Sequence, residues 1–129
     1  MRFAPLFAFP LILMTGSAAV AQASPAILVQ MSNFKFTPNT IVLDHGHSYV
    51  LRLVNSASGG HDFTASDFFA AANVAAADRA LVAEGEVEVP AGKEIDIHLT
   101  APATPGHYKL KCSHTFHKAF GMSGEIVVR

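Results

Sequence analysis

The stretch of residues 106–126 reads GHYKLKCSHTFHKAFGMSGEI and contains the only cysteine of a 129-residue chain. Tyr108, Leu110 and Cys112 alternate with lysines in its first part. This alternation predicts a β-strand whose apolar face points into a protein core. The Cys112 side chain is therefore expected to point inward at the end of a strand, just before the chain enters a loop.

The loop after this strand contains further side chains that bind metals. His117 stands five residues after Cys112, and Met122 stands five residues after His117. Far upstream, His61 follows a second predicted strand and can supply another imidazole. Two imidazoles, a thiolate and a long axial thioether make a type 1 copper site, whereas zinc gains nothing from a thioether. His114 lies inside the same loop and is a rival to His117 as the loop ligand.

The rest of the chain shows mainly β patterning. Residues 49–54 form a nearly continuous apolar run, which predicts a strand covered on both faces. Other short runs, separated by turn signals, predict strands around residues 34–36, 40–43, 87–89, 95–99 and 125–129. We therefore predict an all-β fold, arranged as a β-sandwich.

One segment interrupts this β pattern. Residues 66–83 are rich in alanine and predict a helix or two short helical turns, with Ser66 or Asp67 as the N-cap. Phe68 and Phe69 are expected to anchor the segment on the sheet. The sandwich is thus expected to carry one short helical insertion around residues 66–83.

The N-terminal residues differ in character from the rest of the chain. Residues 1–23 have Arg2 as their single charge, an apolar stretch up to Met14 and a final Ala-x-Ala signature. This layout predicts a secretory signal peptide that is cleaved after Ala23, leaving one domain of residues 24–129. Prolines interrupt the apolar run, which falls short of the roughly 20 residues that span a bilayer. No second apolar segment follows, so a soluble periplasmic protein without a membrane span is expected.

Charge and cysteine content exclude several classes of protein. The chain has 9 Lys and Arg against 10 Asp and Glu, a formal net charge of −1, so no basic excess favours nucleic-acid binding. A single cysteine excludes an intrachain disulfide framework and any site built from several thiolates. In an oxidising compartment, a single thiol needs protection by burial, dimerisation or a metal.

Taken together, these motifs resemble the cupredoxin family, and the resemblance covers most of residues 24–129. The resemblance implies a Greek-key β-sandwich with one copper ion at one end. It also implies that the backbone N–H of Asp62 supports the cysteine sulfur. The Cys-x4-His-x4-Met spacing is like that of rusticyanin-type members. The implied copper ligands are His61, Cys112, His117 and Met122.

The resemblance implies a function as a periplasmic one-electron carrier, monomeric, with a transient redox protein as its partner. A copper-handling role in tolerance, storage or delivery is the alternative, motivated by His114, His45 and His47. An enzyme is not expected, because a thiol hydrolase leaves Met122 unexplained and a copper oxidase needs further copper centres. Phe116 in the loop, with its neighbours, is expected either to form an apolar docking patch or to pack under the loop.

Overall fold

The computed structural model of the protein describes residues 16–19, 23–114 and 121–129. The strands in this part of the chain are β1 Ala26–Ser32, β2 Lys35–Thr37, β3 Thr40–Leu43, β4 Ser48–Asn55, β5 His61–Thr64, β6 Asn73–Val74, β7 Glu86–Val89, β8 Glu94–Thr100, β9 Gly106–Lys111 and β10 Ser123–Val128. They form two five-stranded sheets, one in the order β2-β1-β4-β8-β6 and the other in the order β3-β10-β9-β5-β7. The two sheets pack against each other around one apolar core.

The strand order shows how the chain passes between the two sheets. β1 pairs with β4 and β3 pairs with β10 in parallel, while the other pairs are antiparallel. The chain changes sheet at every connection from β2 to β9. Strands that follow one another in sequence are therefore often not neighbours in a sheet, which is typical of Greek-key sandwiches. The predicted all-β sandwich is confirmed.

Strand β4 shows how the alternation of side chains builds the core. Tyr49, Leu51 and Leu53 are buried between the sheets, whereas the residues between them are half-buried on the outer face. The prediction that this strand is covered on both faces is wrong. Its outer face is only partly covered, and Arg52 lies there and makes two hydrogen bonds, each 3.0 Å long, to Asp96 on β8.

The helical insertion between β5 and β7 contains two short helical segments. Of the two predicted alternatives, one helix or two short helical turns, the second is confirmed. α1 spans Ser66–Ala71, and a 3-10 helix spans Ala76–Leu81. The predicted side-chain cap is wrong, because the N-cap residue of α1 is Ala65 and the helix start has no side-chain capping hydrogen bond. Phe68 and Phe69 are buried with their rings edge-on, 5.4 Å between centroids, and anchor α1 to the core as predicted.

The two ends of the sandwich differ in what they carry. At one end, which we call the site end, β9 ends and β10 begins, with Lys111 opposite Ser123. β4 also ends there with Asn55. At the opposite end, which we call the far end, the turn after β3 meets the C-terminus, and the His45 N–H donates to the Arg129 carbonyl at 2.8 Å.

The predicted signal peptide falls largely outside the described residues. Of residues 1–23, only 16–19 and 23 are described, so its cleavage and the domain boundary at residue 24 stay predictions. In the described part of the chain, no helix combines the length and the apolar character needed to cross a membrane.

Candidate metal centre

Cys112 is completely buried at the site end, directly after the last residue of β9. Its backbone N–H donates to the carbonyl of Met122 at 3.0 Å, which continues the β9–β10 ladder by one more bond. The side chain lies on the same face as Leu110, which is also buried. The inward orientation predicted from the alternating sequence is therefore confirmed.

The structure brings His61 from another strand to Cys112. His61 begins β5 opposite Val89 of β7 and is 1% exposed. Its Nδ1 lies 3.9 Å from the Cys112 Sγ. An ion about 2.0 Å from a ring nitrogen and about 2.3 Å from a sulfur, with an angle near 120°, separates these two atoms by roughly 3.7 Å. The two donor atoms thus fit around a single metal ion without rearrangement of the strands.

Asn55 holds the segment that leads into His61. Its side-chain Nδ2 donates to the carbonyls of Gly59 and Val89, both at 2.9 Å. Its Oδ1 accepts from the Ala57 N–H at 2.9 Å. Asn55 is 1% exposed, its bond to Val89 is buried, and together the three bonds fix the turn between β4 and β5. The position of His61 therefore depends on a buried amide as well as on the pairing of β5 with β7.

Met122 lies at the same end, immediately before β10, and is 1% exposed. The chain around it is tightly packed, because a Cβ on Gly124 would approach the Asn39 carbonyl oxygen to 2.3 Å. A side chain at position 124 would therefore displace the start of β10, which directly follows Met122. The structure thus places His61, Cys112 and Met122 in the buried interior at one end of the sandwich.

The fourth predicted ligand, His117, lies outside the described residues, as do the predicted patch residues of the same loop, because residues 115–120 are not described. Its rival His114 is described and sits beside Cys112. Its Nε2 is 3.0 Å from the Glu88 Oε2 and 3.5 Å from the Asp62 Oδ2. One ligand atom each of Asp62, Cys112 and His114 lie within 4.8 Å of one another. The His114 ring is thus next to the sulfur, but its Nε2 faces carboxylates.

Asp62 supports the cysteine in two ways. Its backbone N–H donates to the Cys112 Sγ at 3.4 Å, as the family resemblance implies. Its carboxylate is fully buried and accepts from the Ser113 N–H at 2.8 Å and from the Thr64 hydroxyl at 2.7 Å. The Ser113 hydroxyl also donates to it, at 2.5 Å. One residue therefore binds the sulfur and fixes the chain just after Cys112.

The role of the Asp62 carboxylate was not predicted from the sequence. The available signal was weak: a hydroxyl residue two positions later, Thr64, and another directly after the cysteine, Ser113. These residues meet only because β5 pairs with the end of β9, with Thr64 opposite Lys111.

The electrostatics of the site favour a protonated thiol in the metal-free protein. Burial raises the pKa of Cys112 above its ordinary value, and the negative charges of Asp62 and Glu88 raise it further. Hydrogen bonds from the backbone N–H groups of Asp62 and His114 act in the opposite direction. Because a metal binds the thiolate, binding at Cys112 is expected to release this proton.

The acidic neighbours also affect His114. The hydrogen bond to Glu88 is the main cause that raises the pKa of the His114 imidazole, and the charges of Asp62 and Glu86 add to it, while burial opposes the shift. The ring therefore takes up a proton more readily than an ordinary histidine does. A protonated ring is a donor only and cannot bind a metal through its protonated nitrogens.

The remaining histidines lie away from this cluster. His45 is exposed at the far end, and its Nδ1 is 2.9 Å from the Arg129 carbonyl oxygen. His47 belongs to the same exposed turn. His98 and His107 are each paired with a carboxylate, Nδ1 to oxygen, on the outside of the sandwich.

Comparison with protein families agrees with this arrangement. The family model of the cupredoxin-like domain matches residues 5–128. The chain belongs to the cupredoxin-like family. No curated protein is significantly similar to the sequence of this cupredoxin-like chain.

Solved structures with the same fold include two auracyanins. One is the dithionite-reduced auracyanin from Roseiflexus castenholzii, with 17% identity, a TM-score of 0.60, and coverage of 84% of this chain and 99% of that chain. Another is auracyanin A from Chloroflexus aurantiacus, a "blue" copper protein, with 15% identity, a TM-score of 0.55 and coverage of 81% and 99%. A multicopper oxidase from Campylobacter jejuni matches with 11% identity and a TM-score of 0.62, with coverage of 88% of this chain but only 32% of the oxidase. At these identities, the similarity shows a shared fold.

Proposed function

We propose that this protein is a type 1 copper protein that carries one electron at a time, with copper held by His61, Cys112, His117 and Met122. The observation that carries the proposal is the 3.9 Å separation of the His61 Nδ1 and the Cys112 Sγ in a fully buried site. A thiolate, an imidazole and a buried thioether form a donor set suited to copper and not to zinc. Copper bound there would supply the Cu(II)/Cu(I) couple.

The protein's own groups account for the other requirements of a carrier. The sandwich buries His61, Cys112 and Met122 and holds them at the ends of three different strands, β5, β9 and β10, so their positions should change little when the charge of the site changes. The N–H of Asp62 donates to the sulfur and stabilises its negative charge. This fixed geometry lowers the reorganisation that accompanies the gain or loss of an electron. Membership of the cupredoxin-like family and the fold shared with a blue copper auracyanin support the proposal.

We place the protein in the periplasm, as a monomer released from a signal peptide of residues 1–23, with a redox protein as its transient partner. A carrier is favoured over an enzyme, because this chain matches only 32% of the multicopper oxidase. Copper handling is the second candidate function. It is favoured by two groups of potential donors that share Asp62, one with Cys112 and His114 and the other with Glu86 and Glu88, in each of which the ligand atoms lie within 4.8 Å of one another.

The visible spectrum of the Cu(II)-loaded protein tests the proposed function. We expect an intense thiolate-to-copper charge-transfer band that is absent in Cys112→Ala. A colourless copper adduct of the unaltered protein would overturn the type 1 assignment. His117→Ala and His114→Ala form a matched pair, and the band should collapse in the first and persist in the second. Fast electron exchange with a cytochrome supports the carrier, whereas its absence from a protein that shows the band supports copper handling.

A further inference from the structure

The side chain of His114 is held on the opposite face of the sheet from His61. On the paired strands β5 and β7, Asp62 stands opposite Glu88, and His61 stands opposite Val89. Side chains alternate between the two faces of a strand, so Asp62 and Glu88 share one face and His61 lies on the other. The His114 Nε2 lies 3.0 Å from the Glu88 Oε2 and 3.5 Å from the Asp62 Oδ2. This ring nitrogen is therefore on the face that does not carry His61.

The donor atoms around the Cys112 sulfur follow the same division. Ligand atoms of Asp62, Cys112 and His114 lie within 4.8 Å of one another, and no such group among the described residues contains His61. The His61 Nδ1 nevertheless lies 3.9 Å from the sulfur. The sulfur thus has the His61 imidazole on its inner side and the His114 imidazole on the side of the carboxylates.

An additional imidazole next to the thiolate threatens the geometry of a type 1 site. Cu(II) with nitrogen and oxygen ligands prefers tetragonal geometry, and zinc prefers four strong ligands. If the His114 ring joined the proposed ligands, the ion would have four strong donors in place of three strong donors and a weak axial thioether. A type 1 site in this chain therefore requires that this ring stay away from the metal.

Glu88 provides the His114 ring with a hydrogen-bond partner away from the metal. An ionised carboxylate only accepts hydrogen bonds, so the Nε2 of His114 carries the hydrogen and has no lone pair for a metal. Like charges that stand directly opposite on paired strands repel, and the ring N–H lies between the carboxylates of Asp62 and Glu88. Gly60 leaves room for the pair, because a Cβ there would approach the Glu88 Oε1 to 2.9 Å and the His114 Cε1 to 3.7 Å.

We propose that Glu88 is a positioning residue that keeps His114 from binding the copper ion and so preserves the weak axial position of Met122. This proposal rests on the proposed function. The alternative is that Glu88 orients His114 as a ligand through its other ring nitrogen, as carboxylates do for many metal-bound histidines. The position of the pair on the face away from His61 disfavours this alternative, and it is one outcome of the test.

The test compares the visible and EPR spectra of copper-loaded Glu88→Ala with those of Glu125→Ala. The control removes the same charge from the same sheet, and Glu125 also pairs with a histidine, His107. In Glu88→Ala we expect a weaker charge-transfer band and a wider copper hyperfine splitting, because the released imidazole makes the ligand set more tetragonal. Glu125→Ala should retain both signals. Glu88→Gln keeps an oxygen that accepts from Nε2 and should retain most of the band.

Removal of His114 distinguishes positioning from general support of the fold. Glu88→Ala/His114→Ala should regain the band, because the competing imidazole is gone. The proposal would be overturned by a full band in Glu88→Ala, or by a band that stays weak in the double variant. Loss of the band in His114→Ala alone would overturn it in favour of His114 as a ligand.

Zinc gives a second readout that does not depend on the colour of copper. Metal-free Glu88→Ala should bind Zn²⁺ about tenfold more tightly than the unaltered protein does, because it gains a fourth strong ligand. This gain should vanish in Glu88→Ala/His114→Ala and should be absent in Glu125→Ala. Equal zinc affinities of Glu88→Ala and the unaltered protein would contradict the positioning role.

The spectrum of the unaltered protein separates this proposal from the proposed function. A copper-loaded protein with the charge-transfer band, in which Glu88→Ala changes neither the spectrum nor the zinc affinity, retains the type 1 site and loses the positioning role of Glu88. An unaltered protein without the band loses both.

Discussion

The two ends of the sandwich both carry histidines, but only one end turns them into a candidate metal centre. At the site end, His61 is 1% exposed and faces the Cys112 sulfur from another strand. At the far end, His45 and His47 are close in sequence but stand in an exposed turn, where His45 bonds to a backbone carbonyl. Convergence of strands within a buried space therefore creates the site, and closeness in sequence does not.

The largest expected effect tests whether the site end alone binds copper. Saturating copper at about 1,000 times its Kd should stabilise the protein by about 4 kcal/mol. This increment should vanish in Cys112→Ser, because the soft thiolate is lost, and should persist in His45→Asn/His47→Asn at the far end. The measurement is thermal unfolding of each variant with and without copper. Comparing each variant with its own metal-free form removes any effect of the substitution on the fold.

A slightly smaller effect is expected for the amide that supports the site. Asn55→Ala removes the three hydrogen bonds of a buried side chain, to Gly59, Val89 and Ala57, and should lower the free energy of unfolding by about 3 kcal/mol. Chemical denaturation of the metal-free protein measures it.

The far-end control for this substitution is Ser48→Ala, which loses one exposed hydrogen bond between the hydroxyls of Ser48 and Thr100. It should lower the free energy of unfolding by about 0.5 kcal/mol or less. Equal losses in the two variants would show that the site end is not the more tightly organised one.

The sequence predicts those features of the site end that depend on a local residue pattern. It misses those that depend on pairing between strands far apart in sequence. Alternation of side chains predicts that Cys112 points inward, because strand period and burial are local properties. The bond between Glu88 and His114 and the role of the Asp62 carboxylate depend on β5 pairing with β7 on one side and β9 on the other. No local pattern specifies that pairing. His117 lies outside the described residues, so the choice of loop ligand stays a prediction.

Asp62→Asn tests what a single buried carboxylate contributes at the site end. The amide keeps the shape of Asp62 but loses the charge that accepts from Ser113 and Thr64. We expect a loss of about 1–2 kcal/mol in unfolding free energy of the metal-free protein. In the unaltered protein, the negative charge of Asp62 stabilises Cu(II) relative to Cu(I). Its loss should therefore raise the reduction potential of the copper-loaded variant. A potential equal to that of the unaltered protein would contradict a role of the carboxylate at the site.

The same substitution at the far end, Asp44→Asn, should have the smallest effect. Asp44 is half-buried, with its side chain 46% exposed, and its hydrogen bond to Arg129 is the main cause that lowers the pKa of its carboxyl. Because the folded pKa is depressed, its contribution to stability is present above the ordinary value of about 3.9 and is lost as pH falls below it. The melting temperatures of the variant and the unaltered protein should differ slightly at about pH 7 and converge at about pH 2. Added salt should reduce the difference at neutral pH, because the pair is exposed to solvent. A difference that persisted in strong acid would show that Asp44 acts through packing and not through its charge, and the far end would then resemble the site end more closely than its exposure indicates.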